Sequence, residues 1–288
     1  MFDPIEQIKD FMQMVCPYNC LIRAIKPGDY AIDYMTGVYH VDTFYPELQK
    51  LNAQGYSIYF GVAARNEMKI PMEVQACWLD IDFKHFDDGI VNIRTRTMLK
   101  LISCGLSPQL IVFSGHGLHA YWCLDKDYYF NDIGNKARIE TTNKKLAIMF
   151  HGDKVHNIDR LMRMPGFYNM KHPEMPVMAE IVYKGQGSRW TLEQVEEFTE
   201  HITLPSLSIA TLSLIDGNNV NKFPSRSERD FAVVVDMIKA GMLFDEIQDI
   251  FDSSPVGDKY REKGAHSDDY LTKTYNAAAL AANIETEI

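Results

Sequence analysis

The stretch VQACWLDIDF, residues 74–83, decides how the larger part of the chain is read. Its apolar, β-rich composition predicts a strand. Asp80 and Asp82 lie two residues apart, so on a strand both carboxylates share one face. Leu79, Ile81 and Phe83 then turn to the opposite face and into a core. Two acids side by side on an apolar strand repel each other, and desolvation raises the cost. A divalent cation relieves it, and Mg²⁺ and Mn²⁺ prefer oxygen ligands. The competing reading is a strand end, where both acids meet solvent or pair with Lys84.

Downstream, a helix fits the stretch around IRTRTMLKLISCG (93–105). Then QLIVFS (109–114), the turn SGHG (114–117) and LHAYWCL (118–124) predict a β-hairpin. Gly115 and Gly117 permit a tight turn with exposed backbone N–H groups, able to cradle phosphate oxygens with the Ser114 hydroxyl. By alternation His119, Tyr121 and Cys123 share one face of the outgoing strand. His119 is then placed to donate a hydrogen bond to a triphosphate, although a lone histidine is more often structural. His116 and His119 fall on opposite faces and make no metal pair.

A longer helix fits 133–150, and HNIDRLMRMPGFYNMKHP (156–173) follows. Its core DRLMRMPG alternates polar and apolar residues as a strand does. Asp159 is placed to supply a third metal ligand, with Asp153 as its rival. Arg163 and Lys171 can neutralise triphosphate charge. Taken alone, the segment reads more readily as a surface loop of mixed charge.

Around these motifs the pattern predicts an α+β fold. Upstream lie a helix opened by Asp3 and Pro4, another in YPELQKLNAQG (45–55) and a strand SIYFGVAA (57–64). VMAEIVY (177–183) is a late strand, and Thr191 with Gln194 caps the helix TLEQVEEFTEHI. The chain of 288 residues divides into a mixed unit at 1–203, a linker at 204–223 and a helical unit at 224–288. Three helices fill the last: one after a Ser225/Glu228 capping box, LFDEIQDIFDSS (243–254), and DDYLTKTYNAAALAAN (268–283).

No apolar run is long enough to span a bilayer and the N-terminus lacks signal-peptide character, so a cytoplasmic, membrane-free location is expected. Of five cysteines only Cys16 and Cys20 are close in sequence, so neither a zinc site nor a disulfide framework is expected. The formal net charge of −10 argues against strong non-specific DNA affinity but leaves catalysis open.

Taken in order, D-x-D, S-G-x-G-x-H-x-Y-W and D-R-x-x-R-x-P-G-x-x-N-x-K resemble the archaeo-eukaryotic primase superfamily, in its plasmid and phage primase-polymerase branch. The resemblance spans roughly 61–183. It implies a catalytic core of an RRM-like sheet plus a smaller α/β unit, and a small helical domain that supports priming. It matches Asp80, Asp82 and Asp159 to catalytic metal ligands. Ser114, Gly115, Gly117 and His119 match the phosphate-binding motif, and Arg163, Asn169 and Lys171 the basic tail. Arg65, in GVAARN (61–66), falls where relatives place a nucleotide-contacting segment. Any helicase is expected to be a separate chain, and some members of this branch accompany CRISPR adaptation proteins.

The expected activity is template-dependent nucleotidyl transfer, as a DNA primase or DNA polymerase. It would use two divalent ions (Mg²⁺ or Mn²⁺), nucleoside triphosphates, and a single-stranded DNA template with its primer. Two alternatives stay open: a non-catalytic replication initiator that only binds DNA, and a metal-dependent phosphodiesterase or nuclease.

Overall fold

The computed structural model describes residues 3–83, 90–204, 206–219 and 222–284. Lys84 lies outside them, as do Pro205, Val220 and Asn221 of the expected linker. Contacts divide the chain into two compact units, Met1–Ile202 and Thr203–Ile288, each with its own apolar core.

The first unit carries strands β1 (Cys20–Ile25), β2 (Ile32–Thr36), β3 (Ser57–Arg65), β4 (Pro71–Asp82), β5 (Leu110–Phe113) and β6 (Gly117–Tyr129). After them come β7 (Leu161–Arg163), β8 (Tyr168–Asn169), β9 (Val177–Met178) and β10 (Glu180–Lys184). Its helices are α1 (Pro4–Val15), α2 (Val41–Ala53), α3 (Ile90–Ile102), α4 (Asn135–Phe150) and α5 (Leu192–Phe198). The large sheet runs β10-β5-β6-β4-β3-β1-β2, with β7 paired to β3, and its strand pairings are antiparallel. The unit is thus α+β, with one large antiparallel sheet.

The splay between β3 and β4 shapes everything near Asp80. These strands pair only at one end, through Ala64↔Glu73 and Arg65↔Pro71. Beyond it β7 takes over the β3 edge through Tyr59↔Arg163, Phe60↔Met162 and Gly61↔Leu161. β4 meanwhile zips to β6, with Asp80 opposite His119 and Asp82 opposite Gly117. Trp78 and Trp122 are buried along that pair, each contributing a few kcal/mol of apolar burial. Phe11 of α1 packs edge-on to Phe60 at 4.7 Å and Tyr121 at 5.4 Å, joining the sheet to the N-terminal helix.

Several elements differ from the sequence reading. CLIRAI and IDYMT, which drew no strand assignment, form the β1–β2 hairpin at the sheet edge. Helix α2 starts at Val41 and carries Pro46 inside, because Val41 and Phe44 bury against the core. The late strand is divided into β9 and β10, which join different sheets.

The second unit holds α6 (Ile209–Ile215), α7 (Arg226–Lys239), α8 (Phe244–Ser253), α9 (Asp258–Glu262) and α10 (Ser267–Ile284). The segment expected as a linker therefore contains a helix. Ser208 caps α6 through the Thr211 N–H, and Leu214 is buried in the second core. At α7 the Ser225 side chain accepts the Glu228 N–H, and its hydroxyl bonds the Glu228 carboxylate. Arg229 is fully buried on Asp230 and Asp258, at 2.7 and 2.5 Å. Among the described residues no helix is long and apolar enough to cross a membrane.

Candidate active site

Because β7 fills the wedge between β3 and β4, a cleft of about 490 Å³ opens beside the carboxylates. That volume is in the range of small-molecule sites. Asp80, Asp82, Ser114, Gly117, His119, Arg163, Asn169 and Lys171 all line it, as do His116, Asp153 and Arg160. The three motifs thus converge on one place.

The carboxylates lie where strand alternation puts them, with Leu79, Ile81 and Phe83 buried between. The third acid at the cleft is Asp153. Its N–H donates to the Asp80 carbonyl at 2.8 Å, which ties the chain after α4 to β4. Gly152 makes this approach possible, since a Cβ there would sit 2.6 Å from the Asp80 oxygen. Asp159 does not line the cleft. Its carboxylate bonds Arg65 at 3.1 Å and its side chain is 58% exposed. Arg65 is buried on Asp159 and the Lys69 carbonyl, and it too is absent from the cleft wall. Arg65 Nε stays buried without a hydrogen-bond partner. Asp159, expected as a third ligand, and Arg65, expected as a nucleotide contact, are thus paired with each other and are not among the residues that line the cleft.

His119 lies across from Asp80, with Nε2 3.4 Å from its carboxylate. Burial, then the Arg163 and Arg160 charges, pulls its pKa down to about 3. The ring is neutral at physiological pH, so the contact is no ion pair. The Tyr121 hydroxyl lies 3.5 Å from Nδ1. With that O–H donating, the remaining ring proton sits on Nε2.

Arg163 is 8% exposed and lies over the Tyr59 ring at 4.3 Å. Burial pulls its pKa below the usual arginine value. Its Nη1 is buried without a hydrogen-bond partner, and so is Nε of Arg160. A guanidinium held with open donors costs free energy that an anion recovers. Arg160 also reaches within 3.8 Å of Asp80. Sequence reading gave neither Arg160 nor Tyr59 a role. The strand-like alternation of DRLMRMPG marked this segment, but the splayed sheet decides which side chains reach the cleft.

Close approach shapes the Gly-rich turn. Gly117 closes it because a Cβ there would meet the Ile81 carbonyl at 2.2 Å, so β4 and β6 could not approach. Gly115 has φ +100°, and the Asn169 side chain packs against it. Asn169 donates to the Ser114 carbonyl at 2.7 Å and accepts the Lys171 N–H. It braces the turn and has its amide committed. The two glycines thus serve strand approach and turn shape.

Among the described residues no group of three or more His, Cys, Asp or Glu side chains is gathered closely enough to hold an ion unaided. The donor set fits a hard divalent cation instead. Two strand carboxylates would supply oxygens, and water and substrate phosphates would have to complete the shell, as is usual for Mg²⁺.

The first unit thus brings a carboxylate strand, a histidine hairpin and a basic strand together in one antiparallel sheet. Residues 63–204 match the family described as RepB DNA-primase N-terminal domain. A crystal structure of primase RepB′ has the same overall fold, with a TM-score of 0.50 at 15% identity over 99% of both chains. A crystal structure of the catalytic domain of primase RepB′ in complex with initiator DNA covers 68% of this chain and 95% of that one. Its TM-score is 0.49 at 15% identity. No curated protein matches the sequence.

Proposed function

We propose that this protein is a template-dependent nucleotidyltransferase, a DNA primase or primase-polymerase acting on nucleoside triphosphates. The observation that carries the reading is the pairing of opposite charges in one cleft. Asp80, Asp82 and Asp153 face Arg160, Arg163 and Lys171, and two of those guanidiniums keep buried donors open. The formal charges of these six groups cancel. An entering triphosphate is then uncompensated unless cations come with it, which is what a divalent-ion site supplies. The match of residues 63–204 to a primase domain supports the same reading.

In the proposed reaction the 3′-hydroxyl oxygen of a primer, or of a first nucleotide, attacks the α-phosphorus of the incoming nucleotide. A P–O bond forms there, the bond to the β-phosphate oxygen breaks, pyrophosphate leaves, and the hydroxyl proton passes to water. Asp80 and Asp82, with Asp153 beside them, would hold the Mg²⁺ or Mn²⁺ ions. When bound, those ions stabilise charge on the attacking and leaving oxygens. Arg163 and Arg160 grip the phosphates through their open N–H groups. His119 keeps a proton on Nε2 and offers it as a neutral donor beside the carboxylates. Ser114 and Lys171 line the phosphate end.

The test is pyrophosphate release in the presence of a primed single-stranded template, nucleotides and Mg²⁺ or Mn²⁺. Release that requires the template and vanishes in Asp80→Ala is expected. DNA binding without release would mean a non-catalytic initiator and overturn the assignment.

A further inference from the structure

The cleft is chemically lopsided. Toward the β5–β6 turn its lining is polar, with Ser114, His116, Asn169 and Lys171. Toward β1 it is apolar and aromatic, with Ile25, Pro27, Tyr59 and Met170. Strand pairing builds that second wall. Ile25 is in register with Ser57, and the Ser57 hydroxyl accepts the Met170 N–H at 3.1 Å. Tyr59 stands two residues further along β3, opposite Arg163 of β7.

Resting on the nucleotidyltransferase reading, we propose that this apolar wall is the nucleoside subsite, with the base stacked on Tyr59. Three observations point there. Tyr59 is the one phenol or indole ring among the described residues that line the cleft. The Arg163 guanidinium lies on the ring at 4.3 Å, so the ring is fixed before a ligand arrives. The same guanidinium keeps an open donor for phosphate, so one strand pair serves both halves of a nucleotide. β7 pairs with β3 beyond the point where β3 and β4 part, so Tyr59 and the carboxylates stand on separate strands of the cleft wall. That separation suits a ligand with phosphates at the carboxylates and a base at Tyr59. Because every base has a π-face, the subsite accepts all four bases without strong preference.

The test compares two probes by calorimetry in Mg²⁺: ATP, and inorganic tripolyphosphate, which has no nucleoside. Tyr59→Leu fills the volume without a ring and is expected to weaken ATP about tenfold, a loss of ~1.4 kcal/mol. Tripolyphosphate binding is expected to stay within about twofold of wild type. Tyr59→Phe, which keeps the ring, is expected to bind both probes as wild type does. Equal weakening of both probes in Tyr59→Leu would show that Tyr59 acts only through Arg163, and the subsite would be withdrawn. Unchanged ATP binding would also overturn it. Failure of the wild-type protein to bind either probe would instead remove the nucleotidyltransferase reading on which the subsite rests.

Discussion

Asp153 and Asp159 sit six positions apart, and the structure gives them opposite surroundings. Asp153 is tethered to the Asp80 carbonyl and lines the cleft, whereas Asp159 faces solvent on Arg65. Asp153→Ala is expected to lower the turnover of primer extension by about 10²–10³-fold, the usual loss when a transition-state charge stabiliser is removed. Asp159→Ala is expected to keep it within a few fold, and the reverse pattern would restore Asp159 to the site. Spacing on a strand was enough to read the Asp80–Asp82 pair. It could not rank the two later acids, because only the bond across to β4 separates them. His119 gives a second residue-scale test. Its folded pKa lies near 3, against an ordinary 6.5. Between those values the unfolded chain binds more protons, so stability falls as pH drops through that window. In EDTA, Tm is expected to fall more between pH 7 and pH 5 for wild type than for His119→Gln. Matching slopes would mean that His119 is not the buried neutral group described above.

At the scale of elements, the hairpin between β5 and β6 holds the site in register. Gly117→Ala places a methyl 2.2 Å from the Ile81 carbonyl, next to Asp82. The β4–β6 pair must then part, with an expected destabilisation of several kcal/mol, in the range seen for severe backbone or core disruption. Chemical denaturation measures it, and a change below about 1 kcal/mol would contradict the close approach. The hairpin was legible because glycines bracket a short polar turn between apolar runs. The reason for those glycines was not, since the clash involves a strand more than thirty residues earlier. β1 and β2 escaped notice for a related reason. Arg23 and Asp33 break their apolar pattern, yet they pair across the strands at 2.6 Å. Short polar-interrupted strands are settled by their partners more than by propensity. The insertion of β7 beside β3 is likewise a tertiary event. It is also what turns Arg163 and Tyr59 toward the same cleft.

The whole molecule consists of two units with separate apolar cores, one built on the large sheet and one on five helices among the described residues. The α+β class of the first unit was readable from alternating strand and helix signals. The helix at Ile209–Ile215 was not, because its Ser, Thr and Ala content resembles a linker and only burial of Leu214 reveals its role. Since the cleft draws its walls from the first unit alone, residues 1–202 are expected to unfold cooperatively when produced by themselves. They are also expected to retain extension of a supplied primer. Loss of cooperative unfolding would show that the first core needs the second unit. The formal charge of −10 gives the chain no general attraction for a polyanion, and the cleft balances its cations with acids until divalent ions enter. That favours grip on a triphosphate over tight non-specific hold on DNA. The most direct measurement of the central claim is a sizing gel. Wild-type protein is incubated with a labelled primer on a single-stranded template, nucleotides and Mn²⁺. Products longer than the primer are expected, and none from Asp82→Ala. An unchanged or shortened primer with wild-type protein would contradict the account.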